Sequence, residues 1–335
     1  MTARTRKPAT RAFAALILLA AVVAVAAPLV GSSNVSFSDI AGIFDAEPPT
    51  AAERIFWQVR APRVILAFIA GATLALCGLS FQAVFRNPLA SPFTLGVSGG
   101  AAFGAVLAIK LGLAFSIPGV SVTQIFAFGG ALASIFLVYG IARARKGFTM
   151  ATMLLTGVAV SFFFSALIMF IQFFADYAHS FSMVRWMMGS LSIVGYKQVA
   201  QAAVLSAAGG AAIFLRRSEM NLLTAGDEIA RGRGVDVDRS RAAIFFAVSL
   251  ATGGVVAICG PIGFVGLMIP HIMRLIVGPD HFDLAPACIL GGGIFLVLCD
   301  TFARTAISPF EIPIGVITAM LGGPFFIWLL FRHPN

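Results

Sequence analysis

The chain has 335 residues, of which 59% are hydrophobic and 11% charged, with a net charge of +9 and a mean hydropathy of +0.96. A soluble domain carries roughly 25% charged residues, so this chain cannot cover a water-facing surface, and its basic excess points to membrane orientation rather than to nucleic acid. At about 20 apolar residues per span, the composition specifies an all-α integral membrane protein of roughly ten spans, read as a single domain over 1–335.

The first apolar run, 12–30, follows Arg4, Arg6, Lys7 and Arg11. Ala24-Val25-Ala26 resembles a signal-peptide cleavage site, but the run is longer than a usual signal core and reads as a retained helix. A polar connection over 32–58 follows, in which Phe37–Phe44 is expected as a short interfacial helix. Further spans are predicted at 62–83, 94–113, 122–142, 150–174, 197–215, 240–259, 262–277, 284–304 and 313–331. A short amphipathic segment is predicted over 176–190, and 216–239 is the longest charged loop.

With the N-terminus in the cytoplasm, 16 of the 23 Lys and Arg fall on inner loops and 7 on outer loops, while the acidic residues divide evenly. The inner face then carries the whole +9. Positive-inside asymmetry of this kind places both termini in the cytoplasm. Gly71-Ala-Thr-Leu-Ala-Leu-Cys-Gly78 echoes Gly253-Gly-Val-Val-Ala-Ile-Cys-Gly260. In this topology the two segments run in opposite directions, as in an inverted repeat.

Arg60 and Arg63 flank Pro62 at the outer mouth of the second span. Arg86-Asn-Pro-Leu-Ala-Ser-Pro92 stops one helix and starts the next, because two prolines within five residues break the hydrogen-bond ladder. Such a turn can also narrow a pore, with Asn87 and Leu89 inward. In the long inner loop, Leu222, Leu223, Ile229 and Ala230 offer an apolar side, and Asp227, Glu228 and Arg231 a polar one. A short helix bounded by Gly226 and Gly234 suits partner docking; a plain charged loop is the alternative.

Pro270 kinks the eighth span beside His271, which reads as a structural hydrogen bonder more readily than as a ligand for metal or haem. Asp300 and Arg304 lie four apart, acid first, the favourable order for a helical pair. With Arg60 and Arg63, Arg304 gives the outer face a set of cations suited to an acidic protein. Cys77, Cys259, Cys288 and Cys299 lie in apolar runs without metal-ligand spacing and read as buried thiols.

The absences also restrict function. No lysine follows a glycine, so no P-loop is present and the chain has no ATP site of that kind. There is no HExxH or CxxC motif, and the spans lack the acid and His chains typical of proton relays. The path through the spans is apolar with Gly, Ser, Thr, Asn and Gln, which suits a bulky solute.

From Trp57 to Arg332 the sequence resembles the permease subunits of type II ABC importers for iron chelates, haem and cobalamin. The resemblance rests on Arg60-Ala-Pro-Arg63, Arg86-Asn-Pro-Leu-Ala90, Leu95-Gly-Val-Ser98, Trp186-Met-Met-Gly-Ser190, Gly263-Phe-Val-Gly-Leu-Met-Ile-Pro-His271, Glu311-Ile-Pro-Ile-Gly-Val316 and Gly323-Pro-Phe-Phe-Ile-Trp328, in that order. Ser91 departs from it, standing where many members carry an acid.

The resemblance implies a homodimer of ten-helix subunits in the bacterial inner membrane, with the pore on the dimer axis. It implies two ATP-binding cassette subunits below, which hold the ATP and Mg, and a periplasmic substrate-binding protein above. No cofactor is expected on this chain. Residue by residue, it assigns Arg60, Arg63 and Arg304 to binding-protein docking. Asn87, Leu89, Thr149 and Met150 fall at the cytoplasmic gate. Leu222, Leu223, Gly226, Asp227, Glu228, Ala230 and Arg231 fall at ATPase coupling. An ion-coupled secondary transporter and a membrane-embedded enzyme are the competing classes; each needs polar groups in the spans that this sequence scarcely offers.

Overall fold

The structure is a computed structural model that describes residues 6–31, 50–117, 119–144, 150–307 and 309–332. The expected helix at 37–44 lies outside these residues. In chain order, the helices of the first half are α1 (Arg6–Ala26), α2 (Ala51–Ile55), α3 (Ala61–Phe85), α4 (Val97–Lys110), α5 (Val122–Ala144) and α6 (Met150–Phe173). Those of the second half are α7 (Tyr177–Met187), α8 (Lys197–Leu215), α9 (Arg217–Ala225), α10 (Asp227–Gly232), α11 (Val237–Cys259), α12 (Val265–Val277), α13 (His281–Thr305) and α14 (Ile314–Arg332). A two-residue antiparallel ribbon, β1 (Ser116–Ile117) with β2 (Val120–Ser121), links α4 to α5.

Among the described residues, six helical stretches are long and apolar enough to cross a membrane: 51–85, 122–144, 151–173, 197–215, 237–259 and 281–305. Four shorter apolar helices accompany them, at 10–26, 97–110, 265–277 and 314–329. Each coincides with an expected span. The expected amphipathic segment is α7, which buries Met183 and exposes Tyr177 and Phe181. All four cysteines are buried thiols.

The second span begins earlier than the sequence predicts. Thr50 and Glu53 form a reciprocal capping box that starts α2. Helix then runs through Pro62 into α3 by one π-helical turn over Phe56–Arg60, in which the Ala61 N–H bonds to the Phe56 carbonyl five residues back. Pro62 has no N–H for the Gln58 carbonyl. Gly195 N–H donates to that carbonyl instead, at 2.7 Å. The same solution recurs at Pro270, inside α12. The Gly266 carbonyl that it leaves unmet accepts from Gln82 Nε2 of α3, at 3.4 Å. In a hydrocarbon surround, backbone groups released by proline need such internal partners.

Small residues set the helix crossings. A Cβ built on Gly71 of α3 would lie 2.1 Å from the Gly292 carbonyl of α13, and one on Gly292 2.4 Å from the Gly71 carbonyl. Gly100 of α4 and Gly130 of α5 meet in the same reciprocal way. The core between these crossings includes Phe81 and Phe245, stacked at 5.9 Å and fully buried.

α3 packs on α12 and α13, while α11 packs on α4 and α5. Counting the ten apolar helices as two sets of five, the second of each set packs on the third and fourth of the other. This is the exchange expected of two related halves, and α3 and α11 carry the two echoed segments.

A tight test lies at Gly78, where a Cβ would fall 1.8 Å from the Gly266 carbonyl. Gly78→Val is expected to cost about 1–3 kcal/mol through overpacking and to lower the thermal unfolding midpoint in detergent. Gly129→Ala, with nothing within 4 Å of the new Cβ, is expected to leave the midpoint unchanged or slightly raised. Equal midpoints for Gly78→Val and the parent would contradict the close α3–α12 crossing.

Candidate functional site

Among the described residues, two charged clusters each join segments far apart in the sequence. The first holds the three arginines expected at the outer face. Arg63, one turn into α3, donates from Nε to both oxygens of Asp300, at 3.1 and 3.0 Å, and from Nη2 to Oδ1 at 3.0 Å. Its Nη1 reaches Glu311 Oε2 at 2.8 Å. Arg304, on the same helix as Asp300 and one turn later, places Nε 3.2 Å from Asp300 Oδ2. The pair foreseen from the i, i+4 spacing is therefore present.

The rest of Arg304 and most of Arg60 face the end of α1. Arg304 donates to the Val30 and Ala27 carbonyls, each at 3.1 Å. Arg60 Nη1 donates to the carbonyls of Pro28 and Leu29, also at 3.1 Å. A helix C-terminus leaves its last carbonyls without intrahelical partners, and positive charge there also suits the helix dipole. Two guanidinium groups thus hold the turn that leaves the C-terminal end of α1.

Arg60, Arg63 and Arg304 are 5%, 5% and 7% exposed. The sequence reading set them as open cations at the outer mouth. Instead, each one has internal partners, and the Arg63–Glu311 edge approaches solvent. Glu311 is half-exposed, and Ser192 Oγ also donates to its Oε2, at 3.2 Å. Partial burial would raise its pKa, but the Arg63 hydrogen bond and charge, with Ser192, hold it below the ordinary carboxylate value. The Glu311 contact is therefore present above the ordinary carboxylate pKa and is lost only as pH falls through this lowered one.

The second cluster joins the turn after α3 to the 216–241 segment. α3 ends at Arg86, which takes a left-handed conformation with φ of 47°. Asn87 Oδ1 then accepts from Leu89 N–H, at 2.9 Å, which fixes the turn before Ala90. Asn87 is half-buried, and Leu89 is 51% exposed. Thr149 lies outside the described residues, and Met150 opens α6.

The short helix expected between Gly226 and Gly234 is α10, and α9 precedes it as a second helix. Gly226, at φ 131°, breaks α9 from α10 in a conformation open to glycine. The break reorients the expected apolar side. Leu223 and Ala230 are fully buried and Leu222 is half-buried, but Ile229 is 52% exposed. Glu228 and Arg231 face solvent. Asp227, the first residue of α10, accepts from Arg241 of α11 at 2.6 Å and lies 3.5 Å from Arg86 Nη2.

Sequence reasoning did not find the partners that hold this cluster. Arg241 is one. Asn221 is another: it donates to Asp280 Oδ1 at 2.8 Å and accepts from the backbone and the ring of His281 at 2.9 and 2.7 Å. These contacts join residues 14 to 60 positions apart. His271 meets Phe325 edge-on at 5.9 Å. No group of three or more His, Cys, Asp or Glu stands ready for a metal among the described residues.

Comparison with known proteins adds a consistent picture. The model of the FecCD transport family matches residues 16–332. The cobalamin import system permease protein BtuC of Halobacterium salinarum is 43% identical over 285 residues, covering 84% of this chain and 74% of that protein. The hemin transport system permease protein HmuU of Yersinia pestis is 34% identical over 321 residues, covering 95% and 94%. A solved structure described as an inward-facing conformation of a metal-chelate type ABC transporter superposes with a TM-score of 0.83 at 31% identity, covering 97% of this chain and all of the other.

Asp300→Asn would leave two buried guanidinium groups short of countercharge. It is expected to destabilise by about 3–5 kcal/mol, the range for breaking a buried ion pair from one side. Thermal unfolding in detergent reads this, and limited proteolysis after α1 is expected to speed up. Parent-like unfolding in both assays would show that Asp300 does not hold the cluster.

Proposed function

Because the chain belongs to the FecCD transport family of ABC permeases, we propose that it is the membrane subunit of an ATP-driven importer for a bulky iron chelate, a ferric siderophore or haem. Cobalamin is the alternative cargo, and the relatives' names divide between these chemistries. Support for a large solute comes from the spans, whose exposed faces are apolar and in which the buried charges Arg63, Asp300, Arg304 and Arg241 and the half-buried Arg274 are met by partners within the protein.

In this reading the chain crosses the bacterial inner membrane ten times, with both termini in the cytoplasm. It pairs with a second copy around a central pore. α6 suits that contact, since it buries least and exposes Leu155, Phe162, Phe163 and Phe170. Two ATPase subunits, which hold the ATP and Mg, dock on α9 and α10, and this chain binds no cofactor. A periplasmic binding protein delivers the cargo to the outer face. Its acids meet Arg63 by exchange with Glu311, an exposed edge of the arginine cluster; Arg60 and Arg304 hold that surface in place.

The observation that carries the reading is the Arg86–Asp227–Arg241 link. It joins the first residue of α10 to the turn bearing Asn87 and Leu89 and to α11. A push from the ATPase on α10 therefore reaches the turn at the foot of α3 through a charged contact rather than through a flexible loop. Alternating access follows when Asn87, Leu89, Thr149 and Met150 close and open the inner side while the binding protein governs the outer.

Vesicles containing the chain, its ATPase and its binding protein are expected to take up chelate only with ATP. Asp227→Ala is expected to reduce uptake at least about tenfold, equivalent to about 1.4 kcal/mol of coupling, while the ATPase still co-purifies. Uptake by this chain alone, driven by an ion gradient, would contradict the importer reading. Unchanged uptake in Asp227→Ala would contradict the coupling route.

A further inference from the structure

An apolar groove of about 490 Å³ runs between α3 and α8, with Ile289 of α13 also lining it. Its walls include Phe68, Ala72 and Leu76 of α3, and Ala207, Gly210 and Phe214 of α8. Along α8 it extends from Ala203 to Phe214, a length of about 16 Å at 1.5 Å per residue. That is close to one leaflet of a hydrocarbon core about 30 Å thick.

One end of the groove carries a positive charge. The Arg217 guanidinium lies 3.8 Å from the centroid of the Phe214 ring, which also lines the groove, and 5.1 Å from that of Phe282. Neighbouring Arg216 takes Glu219 and the Ala212 carbonyl. Arg217 has no carboxylate partner among the described residues. Stacking occupies the face of a guanidinium and leaves its N–H groups, which lie in the plane, available at the edge. The charge count puts this end at the inner surface, where anionic lipids attract basic residues next to a span.

We propose that the α3–α8 groove is a binding site for an anionic phospholipid of the inner leaflet, with one acyl chain along the groove and the phosphate on Arg217. The three features agree on this occupant: an apolar slot of leaflet length, walls with just two hydroxyls, Thr73 and Ser206, of which Thr73 is bonded to the Ile69 carbonyl, and one cation without a carboxylate partner among the described residues at the headgroup end. A free phosphate would leave the slot empty, and a zwitterionic lipid would bring an ammonium to the same end and offset the attraction of its phosphate to Arg217. The lipid would brace α8, which leads directly into α9, so it would sit beside the segment that meets the ATPase.

The test is native mass spectrometry of the full chain in micelles, with phosphatidylglycerol and phosphatidylethanolamine of the same acyl composition. Phosphatidylglycerol is expected to be retained about fivefold better, the effect of roughly one basic residue near the surface. Arg217→Gln is expected to remove the preference while some of either lipid stays bound. Ala207→Phe, which fills the slot, is expected to remove both. Arg233→Gln, a change at an exposed cation elsewhere on the same face, is expected to alter nothing. Thermal unfolding of each variant separates lost lipid from lost fold. Equal retention of the two lipids by the parent chain would overturn the proposal. So would an unchanged preference in Arg217→Gln, or a disulfide between two copies of Ala211→Cys that shows a second chain seated on the groove.

Discussion

A single carboxylate, Asp300, is buried to 1% exposure with two guanidinium groups around it. Burying a charge is unfavourable unless it is paired and hydrogen-bonded. Here Arg63 supplies a fork of donors, and Arg304 adds a second charge from the adjacent turn. The arrangement fixes more than itself. Arg63 belongs to α3, and Asp300 and Arg304 to α13, so these two central helices are locked at one end. Arg304 and Arg60 then close over the carbonyls of the turn that follows α1, Ala27 to Val30. Three helices and the loop bearing Glu311 thus depend on one acidic group.

The same constraint, that backbone and charge need partners inside a hydrocarbon surround, explains features elsewhere. Pro62 and Pro270 each release a carbonyl, and Gly195 and Gln82 satisfy them. Gln82 also accepts from Arg274 at 3.0 Å, so one amide serves α12 twice. Glycines then bring α3 close enough to α12 and α13 for these contacts to form. The helices in the centre are rigid for stated reasons, and the links that reach the surface, Glu311 at one end and Asp227 at the other, are half-exposed. These are the places where partners can act on the molecule.

Much of this was legible in the sequence. Apolar runs located the helices, and the i, i+4 spacing gave Asp300 with Arg304. The motif series named the arginines, the turn at Asn87 and the segment around Asp227. The partners were not legible, because they are distant: Arg63 and Asp300 are 237 positions apart. Nothing local told that Arg60 would hold the turn after α1 rather than face water. The start of the second span was misjudged because Pro62 reads as a helix start, whereas the capping box at Thr50 and a π-helical turn carry the helix through it. Gly226 was read as a helix boundary and is one, but the helix on its other side, α9, was not foreseen, nor that Ile229 would face outward.

The central claim is that the Asp300 cluster keeps α1, α3 and α13 as one body while the transporter works. Spin labels at Val30→Cys, in the turn that follows α1, and Ile307→Cys, just beyond α13, test it directly, both being exposed side chains next to the cluster. Labelled chains diluted with unlabelled ones report the distance within one copy. The account predicts the same distance without nucleotide and with ATP bound. A distance that changes on ATP binding would contradict it, because α1 would then be leaving the arginines that hold the turn after it.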